Sequence, residues 1–336
     1  MLIILEGPDR SGKSTVARAL ADRLKKFDPN CSVDMLHRGP PRRHPLAEYE
    51  QDIQDYRPQL WPGQLGDLPR RHVICDRWHL GEVVYPPVRG RGSLLTHEAL
   101  WHIELFLQAR GALVVTFDVP TDVLVRRTEK ETGQPVGDAE RRVIDRVRAR
   151  FFTATVNSRV TTLRFAPSDL VDTSFVVDRV VQLASTVEAY SAPVRDFVTY
   201  VGHPSPSILV LGDVRKRAND DPGGPAFVPY GGTSGAYLLR ALGEATRDQR
   251  VGRLGLANAC DVDDPLDLWE MLGRPWRVTL LGRNAALAVE RKFRDLGVSV
   301  GVVDHPQYVR RFHHDRVNEY GHAILSSRSS SFAGVQ

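Results

Sequence analysis

The chain opens on a run that fixes its first structural unit: Leu2-Ile-Ile-Leu5, then Glu6, then Gly7-Pro-Asp-Arg-Ser-Gly-Lys-Ser14. The apolar residues read as a buried strand. Gly-x-x-x-x-Gly-Lys-Ser is a phosphate loop, and Val16, Ala17, Leu20 and Leu24 then recur at helical spacing. Strand, glycine-rich loop and helix, in that order, give the loop its chemistry. Gly7 and Gly12 let the backbone turn tightly, so that its N–H groups face phosphate oxygens, and the helix N-terminus adds positive potential. Lys13 is placed to reach the β- and γ-phosphates, and Ser14 to offer its hydroxyl to Mg²⁺, with Thr15 beside it in the same cradle. A chain built this way binds a nucleoside triphosphate, and ATP with Mg²⁺ is the expected pair.

The alternation continues beyond the loop. Strands are expected at 2–6, 33–37, 73–76, 112–119 and 163–165, with helices at 14–26, 46–57, 95–110, about 120–130, 138–157 and 174–189. Such alternation predicts an α/β fold with a parallel sheet covered on both faces. Gly202-His-Pro-Ser-Pro-Ser207 is rich in turn formers, and the pattern then restarts. Strands at 208–211, 254–257, 277–281 and 299–303, with helices at 234–245 and 284–296, predict a second α/β unit. The expected division is therefore a first domain over 1–195, a second over 200–325, and a disordered serine-rich tail over 326–336.

A length of 336 residues suits two domains, and the 42% apolar and 26% charged fractions are those of globular proteins. The net charge of +4 is modest, and nearly all the basic residues are Arg, so the pI near 9.0 permits anionic substrates without demanding nucleic acid. Cys31, Cys75 and Cys260 are widely spaced and indicate no disulfide framework or zinc pair, which fits a reducing cytoplasm. No apolar run is long enough for a membrane span, and the first residues read as a core strand rather than a signal peptide. The expected localisation is cytoplasmic.

Asp76 ends the apolar strand Val73-Ile-Cys75 and is followed by Arg77. An acid at that strand end, beside a phosphate loop, is placed to hold Mg²⁺ together with Ser14. Arg77 is placed to clamp an acceptor phosphate. With these residues in view, Leu5-Glu-Gly-Pro-Asp-Arg-Ser-Gly-Lys-Ser-Thr15 resembles the phosphate loop of thymidylate kinases, in the subgroup with Arg inside the loop. Asp76-Arg77-Trp78 resembles that family's Asp-Arg-aromatic motif. Phe117-Asp-Val-Pro120 with Arg126-Arg127 resembles the entry to its lid, and His37-Arg38-Gly-Pro40 weakly matches its Arg-x-Pro motif. The resemblance spans about 1–190 and implies a P-loop kinase fold, often dimeric. It implies that Asp9 contacts the acceptor nucleotide, that Arg10 stabilises the transferring phosphoryl group, and that Arg38 and Arg77 hold the acceptor phosphate. Thr128–Arg142, with Gly133 and Gly137 as hinges, would be the lid. The stretch between Arg38 and Asp76 is shorter than usual for the family, and His79-Leu-Gly-Glu-Val-Val-Tyr85 replaces its Ser-rich helix start. Trp78 and Tyr85 are candidates for reading the acceptor, by stacking or from a helix face shared with Glu82.

In the second half, Pro206-Ser-Ile-Leu-Val-Leu-Gly-Asp213, Ala226-Phe-Val-Pro-Tyr-Gly-Gly-Thr-Ser-Gly-Ala-Tyr-Leu-Leu239, Leu256-Ala-Asn-Ala-Cys260, Val278-Thr-Leu-Leu-Gly-Arg-Asn-Ala-Ala286 and Val303-Asp-His-Pro306 follow one another. That ordered set resembles the uracil-DNA glycosylase superfamily and implies its three-layer fold over about 200–325. By this resemblance Asp213 sits where the water-activating acid region begins, Phe227 would stack on a base, Asn258 would read its edge and His305 would stabilise a leaving base. The family's Gly-Glu-x-Pro-Gly is here Gly212-Asp-Val-Arg-Lys-Arg217, and its Ser after His-Pro is Gln307. These departures count against cleavage of a glycosidic bond and leave base or DNA binding. Arg310, Arg311, His313, His314 and Arg316 lie close by and are suited to phosphates.

The leading expectation is phosphoryl transfer from ATP to a pyrimidine deoxynucleotide, with a second domain that binds a pyrimidine base or DNA. One alternative is a kinase for a hydroxymethyl pyrimidine in DNA, as in phage hypermodification, acting in a host cytoplasm. The other is a bifunctional kinase and N-glycosidase.

Overall fold

The computed structural model describes residues 1–37, 71–93, 95–169, 172–195, 200–212, 226–227, 233–247, 253–259 and 264–326. Arg38, the predicted helix over 46–57, Asp213, Cys260 and the tail beyond Ser326 lie outside these residues. The chain divides into two compact units. The first is Met1–Thr96 with Arg110–Tyr190, and the second is His97–Ala109 with Ser191–Gln336. The division expected from the sequence keeps 97–109 with the first domain, whereas its contacts group it with the second. Among the described residues no helix is long and apolar enough to cross a membrane.

The first unit is built on five parallel strands: β1 (Leu2–Glu6), β2 (Ser32–His37), β3 (Arg71–Asp76), β4 (Ala112–Phe117) and β5 (Thr161–Phe165). Their order across the sheet is β2-β3-β1-β4-β5. Register places Leu2 beside Val73 and Ala112, and Leu5 beside Asp76 and Val115. Five consecutive residues of β1 are buried, which requires cover on both faces. One face is covered by α1 (Lys13–Phe27) and α6 (Thr173–Arg195): Val16, Leu20 and Leu24 pack with Val176, Val177 and Val180 over Ile3, Leu5 and Leu113. Helices α2 (His79–Val88), α4 (Thr121–Thr132) and α5 (Asp138–Asn157) complete the described part of the unit. Helix α4 ends at Gly133, in the left-handed region, and Gly137 caps α5. The predicted lid is thus two helices joined by a short turn, tightened by a hydrogen bond from the Val136 amide to Glu129 Oε1 (3.1 Å).

The second unit has a mixed sheet of β6 (Val201–Gly202), β7 (Ile208–Gly212), β8 (Leu254–Asn258), β9 (Arg277–Leu281) and β10 (Ser299–Val303). The order is β10-β9-β7-β8-β6. The four longer strands are parallel, and only the two-residue β6 runs antiparallel, against β8. Helices α3 (His97–Ala109), α7 (Ser234–Arg247), α8 (Pro265–Met271), α9 (Arg283–Asp295), α10 (Pro306–Phe312) and α11 (Val317–Leu325) surround it. Leu268 and Trp269 of α8 and Ala285, Val289 and Phe293 of α9 pack with Val278 and Leu280 of β9. Thr279, on the alternate side of β9, donates its hydroxyl to the Ile324 carbonyl of α11 (2.9 Å), so helices cover both faces.

Helix α3 is apolar nearly all round, with Ala99, Trp101, Ile103, Leu105, Phe106, Leu107 and Ala109 buried. Its Ala109 joins the cluster of Val194, Tyr200 and Leu209. Its His102 is also buried, and Nε2–H donates to the Ala226 carbonyl (2.9 Å). Burial, partly opposed by that bond, pulls the His102 pKa from 6.5 down to about 4. Between those values the unfolded chain takes up a proton that the folded unit refuses, so stability is complete above the upper value and falls as pH drops towards the lower one. We expect His102 to contribute about 3 kcal/mol to the stability that chemical denaturation shows being lost across this range, where burial lowers the His203 pKa as well, and His102→Gln to remove that share of the dependence. An unchanged slope in that variant would assign the pH response to other groups.

Candidate functional site

The phosphate loop leaves the C-terminal end of the central strand β1, as its sequence requires. Gly7 has φ +141° and Gly12 φ +99°. A Cβ on Gly7 would lie 3.3 Å from Ser11 Oγ and 3.4 Å from the Phe117 carbonyl oxygen, so the turn closes tightly against β4. Lys13 is buried, and its ammonium donates to the carbonyls of Gly7 (2.9 Å) and Pro8 (2.6 Å) and to Ser11 Oγ (3.3 Å). Burial, with Arg77 nearby, lowers its pKa to about 8. Ser14 Oγ donates to Asp76 Oδ2 (2.6 Å), which also faces His37 Nδ1 at 3.3 Å. Asp76 Oδ1 is buried without a hydrogen-bond partner.

Arg77 follows β3 with φ +73°, unusual for a side chain of its size, and its amide donates to the Leu5 carbonyl (2.9 Å). Its Nη2 pairs with Asp9 Oδ1 (2.8 Å). Tyr85 grips the same Asp9 twice: its hydroxyl donates to Oδ1 (2.9 Å) and accepts from the Asp9 amide (2.9 Å). Burial first, then Asp9, drives the Tyr85 pKa far upward, so the phenol stays protonated. Arg10, at φ +62°, points its Nε to Glu131 Oε2 (2.6 Å), and Arg127 Nη1 donates to the Arg10 carbonyl (2.7 Å).

An open cavity of about 440 Å³ lies over this loop. Arg10, Gly12, Lys13, Ser14, Thr15 and Arg77, all singled out in the sequence, line it. Trp78 and Tyr85 do not. Trp78 is only 3% exposed, so its indole is not presented to a ligand, and the Tyr85 hydroxyl is committed to Asp9. The cavity also takes Arg127, Glu131, Thr173 and Val176, whose part the sequence reading missed. Arg127 and Glu131 are i and i+4 on α4, a spacing that puts both on one face and was there to be read. For Thr173 and Val176, at the start of α6, no local signal distinguishes ligand contact from core.

In the second unit two of the predicted residues, Phe227 and Asn258, meet at the end of β7. Asn258 ends β8 and is buried beside Gly212, the last residue of β7. A Cβ on Gly212 would fall 2.6 Å from the Phe227 ring and 2.7 Å from Asn258 Oδ1, so only glycine lets the ring and the amide close in. His305 lies two strands away from β7, at the end of β10. It caps α10, with Nδ1 accepting from the Gln307 amide (3.2 Å), and packs on Gly282. Of the basic cluster, Arg316 pairs with Glu319. Among the described residues no three His, Cys, Asp or Glu side chains converge as a metal centre.

A phosphate loop leaving the central strand of a five-stranded parallel sheet, with a hydroxyl–carboxylate pair beside it, makes the first unit a P-loop α/β fold. Solved structures similar to the chain include YorR protein of Bacillus subtilis, 24% identical, covering 55% of this chain and 96% of that one, with a TM-score of 0.40. Another is deoxyadenosine kinase of M. mycoides, 14% identical over 55% of this chain and 100% of that one, TM-score 0.31. A third is thymidylate kinase of Ehrlichia chaffeensis, 18% identical over 55% and 98%, TM-score 0.25. No family model and no curated protein matches the chain.

Proposed function

We propose that the chain is an ATP-dependent kinase that transfers the γ-phosphoryl group to a pyrimidine deoxynucleotide. The observation that carries this reading is one cavity lined by the phosphate loop, with Lys13 and Ser14, together with the loop's own Arg10 and the strand-end Arg77. Phosphoryl transfer asks a protein for positioning and distributed positive charge, and this cavity supplies both. The donor set also suits Mg²⁺: a hydroxyl already bonded to a carboxylate whose second oxygen is unpartnered offers hard oxygen ligands. Ser14 and Asp76 would hold that ion, which when bound neutralises phosphate charge. Lys13 would leave the loop carbonyls for the β- and γ-phosphates. Arg77 would exchange Asp9 for the acceptor phosphate while Tyr85 keeps Asp9 in place.

Arg77→Ala is therefore expected to raise the acceptor KM at least tenfold while ATP affinity stays within about twofold. Steady-state kinetics with thymidine monophosphate and ATP, alongside nucleotide titration, measure both. A fall in ATP affinity with the acceptor KM unchanged would place the acceptor elsewhere.

A second reading extends the first: the acceptor is a hydroxymethyl pyrimidine in DNA, and the second unit binds the base. The cradle of Phe227 and Asn258 about Gly212 favours it, since a stacking ring and a base-reading amide are what an extracted base needs. Gly212→Ala should then cut phosphorylation of hydroxymethyluracil-containing DNA at least tenfold and leave thymidine monophosphate phosphorylation unchanged. Equal loss on both substrates would reject the second reading. Base release in an abasic-site assay, abolished by His305→Ala, would promote the bifunctional enzyme instead.

A further inference from the structure

We infer that Glu6, a buried carboxylate behind the phosphate loop, is the positioning residue that aims Arg77 at the acceptor. The inference rests on the kinase reading above. Glu6 ends β1 and is completely buried. Its Oε1 accepts two amides from a different segment, those of Trp78 (2.9 Å) and Leu80 (3.0 Å). These are among the first N–H groups of α2, which a helix leaves unsatisfied and which no side chain of α2's own N-cap residue, Trp78, bonds. Glu6 therefore does for α2, across the sheet, what a local Ser or Asp cap usually does.

The placement matters because Arg77 is the residue just before these bonds. Its φ of +73° is a conformation that a long L side chain does not keep unless its surroundings impose it. Two constraints hold it. On one side the Arg77 amide bonds the Leu5 carbonyl (2.9 Å). On the other, Glu6 clamps Trp78 and Leu80. Leu5 and Glu6 are neighbours on β1, so one strand end fixes both sides of the turn. With the turn fixed, the Arg77 guanidinium reaches Asp9 in the phosphate loop (2.8 Å). Loss of the Glu6 acceptor would free the turn to relax, and the guanidinium would lose its aim.

A carboxylate is not required for this role, only an acceptor oxygen of the same reach. Burial, outweighing His79, the two amides and Lys13, pushes the Glu6 pKa up, which agrees with a group used for its hydrogen bonds. Glu6→Gln keeps an acceptor for both amides, whereas Glu6→Met keeps the length and removes it. With thymidine monophosphate as acceptor, Glu6→Gln is expected to stay within about threefold of the parent KM. Glu6→Met should raise it tenfold or more, with ATP affinity within about twofold. In an Arg77→Ala background Glu6→Met should add nothing further, because the effect runs through Arg77.

An unchanged acceptor KM in Glu6→Met, or a full additional loss in the Arg77→Ala background, would overturn the inference. Should Glu6→Met fail to fold, hydrogen exchange of the Trp78 and Leu80 amides decides with Glu6→Gln: protection as in the parent supports the role, and lost protection with parental acceptor KM refutes it. If Arg77→Ala itself leaves acceptor use intact, the acceptor lies elsewhere than Arg77, and the same exchange measurement still reports separately whether Glu6 holds the turn.

Discussion

Lys13→Ala is expected to lower phosphoryl transfer by about a thousandfold or more while the protein stays folded. The two halves of that expectation come from the same geometry. In the described structure the ammonium satisfies itself on loop carbonyls and Ser11, and burial with Arg77 has already pulled its pKa to about 8. A charge held at such a disadvantage adds little to the folded state, so its removal costs little stability. Its value appears when a polyphosphate brings negative charge that the loop amides alone cannot match. Labelled γ-phosphate transfer to thymidine monophosphate measures the first half, and the thermal midpoint the second. The titration gives an internal check: nucleotide affinity of the parent protein should weaken as pH rises through about 8, where free Lys13 gives up its proton, and the variant should be flat there. Activity within tenfold of the parent would sink the kinase assignment.

The second large effect is on stability. Gly321 lies in α11 where that helix crosses α7. A Cβ there would sit 2.7 Å from the Ala241 carbonyl carbon, 2.8 Å from the Ala245 Cβ, and closer still to the Ala241 oxygen. Two of those atoms are backbone and the third is a methyl group, so none can swing aside as a flexible side-chain tip would. The helices must part, and the contacts around the buried Tyr237 and Tyr320 rings, 5.8 Å apart, part with them. Gly321→Ala should therefore cost about 3 kcal/mol, at the upper end for overpacking, even though alanine is the better helix former by about 1 kcal/mol. Gly92→Ala is the control, since a Cβ there meets nothing within 4 Å, and it should stay within about 0.5 kcal/mol. Denaturant midpoints compare the two. A neutral Gly321→Ala would mean that the crossing is looser than its geometry implies.

Much of this was legible beforehand, for local reasons. The strand, loop and helix at the start follow from apolar runs and glycines, which act over a few residues. Helix α5 spans Asp138–Asn157 as its periodicity predicts, and β9 and β10 match their expected spans. What escaped is what depends on partners distant in sequence. Glu6 reads as a polar residue closing an apolar strand, and nothing nearby says that its oxygen caps a helix starting at His79. Spacing puts Tyr85 on a helix face with Glu82, but spacing along a helix cannot reveal that the hydroxyl meets Asp9 rather than a substrate. Short elements were lost too: α8, α10 and the two-residue β6 carry too few residues for a period to show. The sequence over 95–110 predicts helix α3, but its apolar circumference is compatible with cover from any side, so its allegiance to the second sheet cannot be read from it.

That allegiance has a consequence during synthesis. Helix α3 leaves the ribosome before the rest of the first unit is made, and long before β7 to β10 exist for it to join. At translation rates of about 5–20 residues per second, its apolar surface waits on the order of ten seconds for its own unit. The nascent chain therefore carries a greasy segment while the phosphate-loop sheet assembles from sequence on both sides of it. A fragment that stops near residue 195 would extend that wait indefinitely, so poor behaviour of such a fragment would reflect an orphaned helix and not a defect in the nucleotide site.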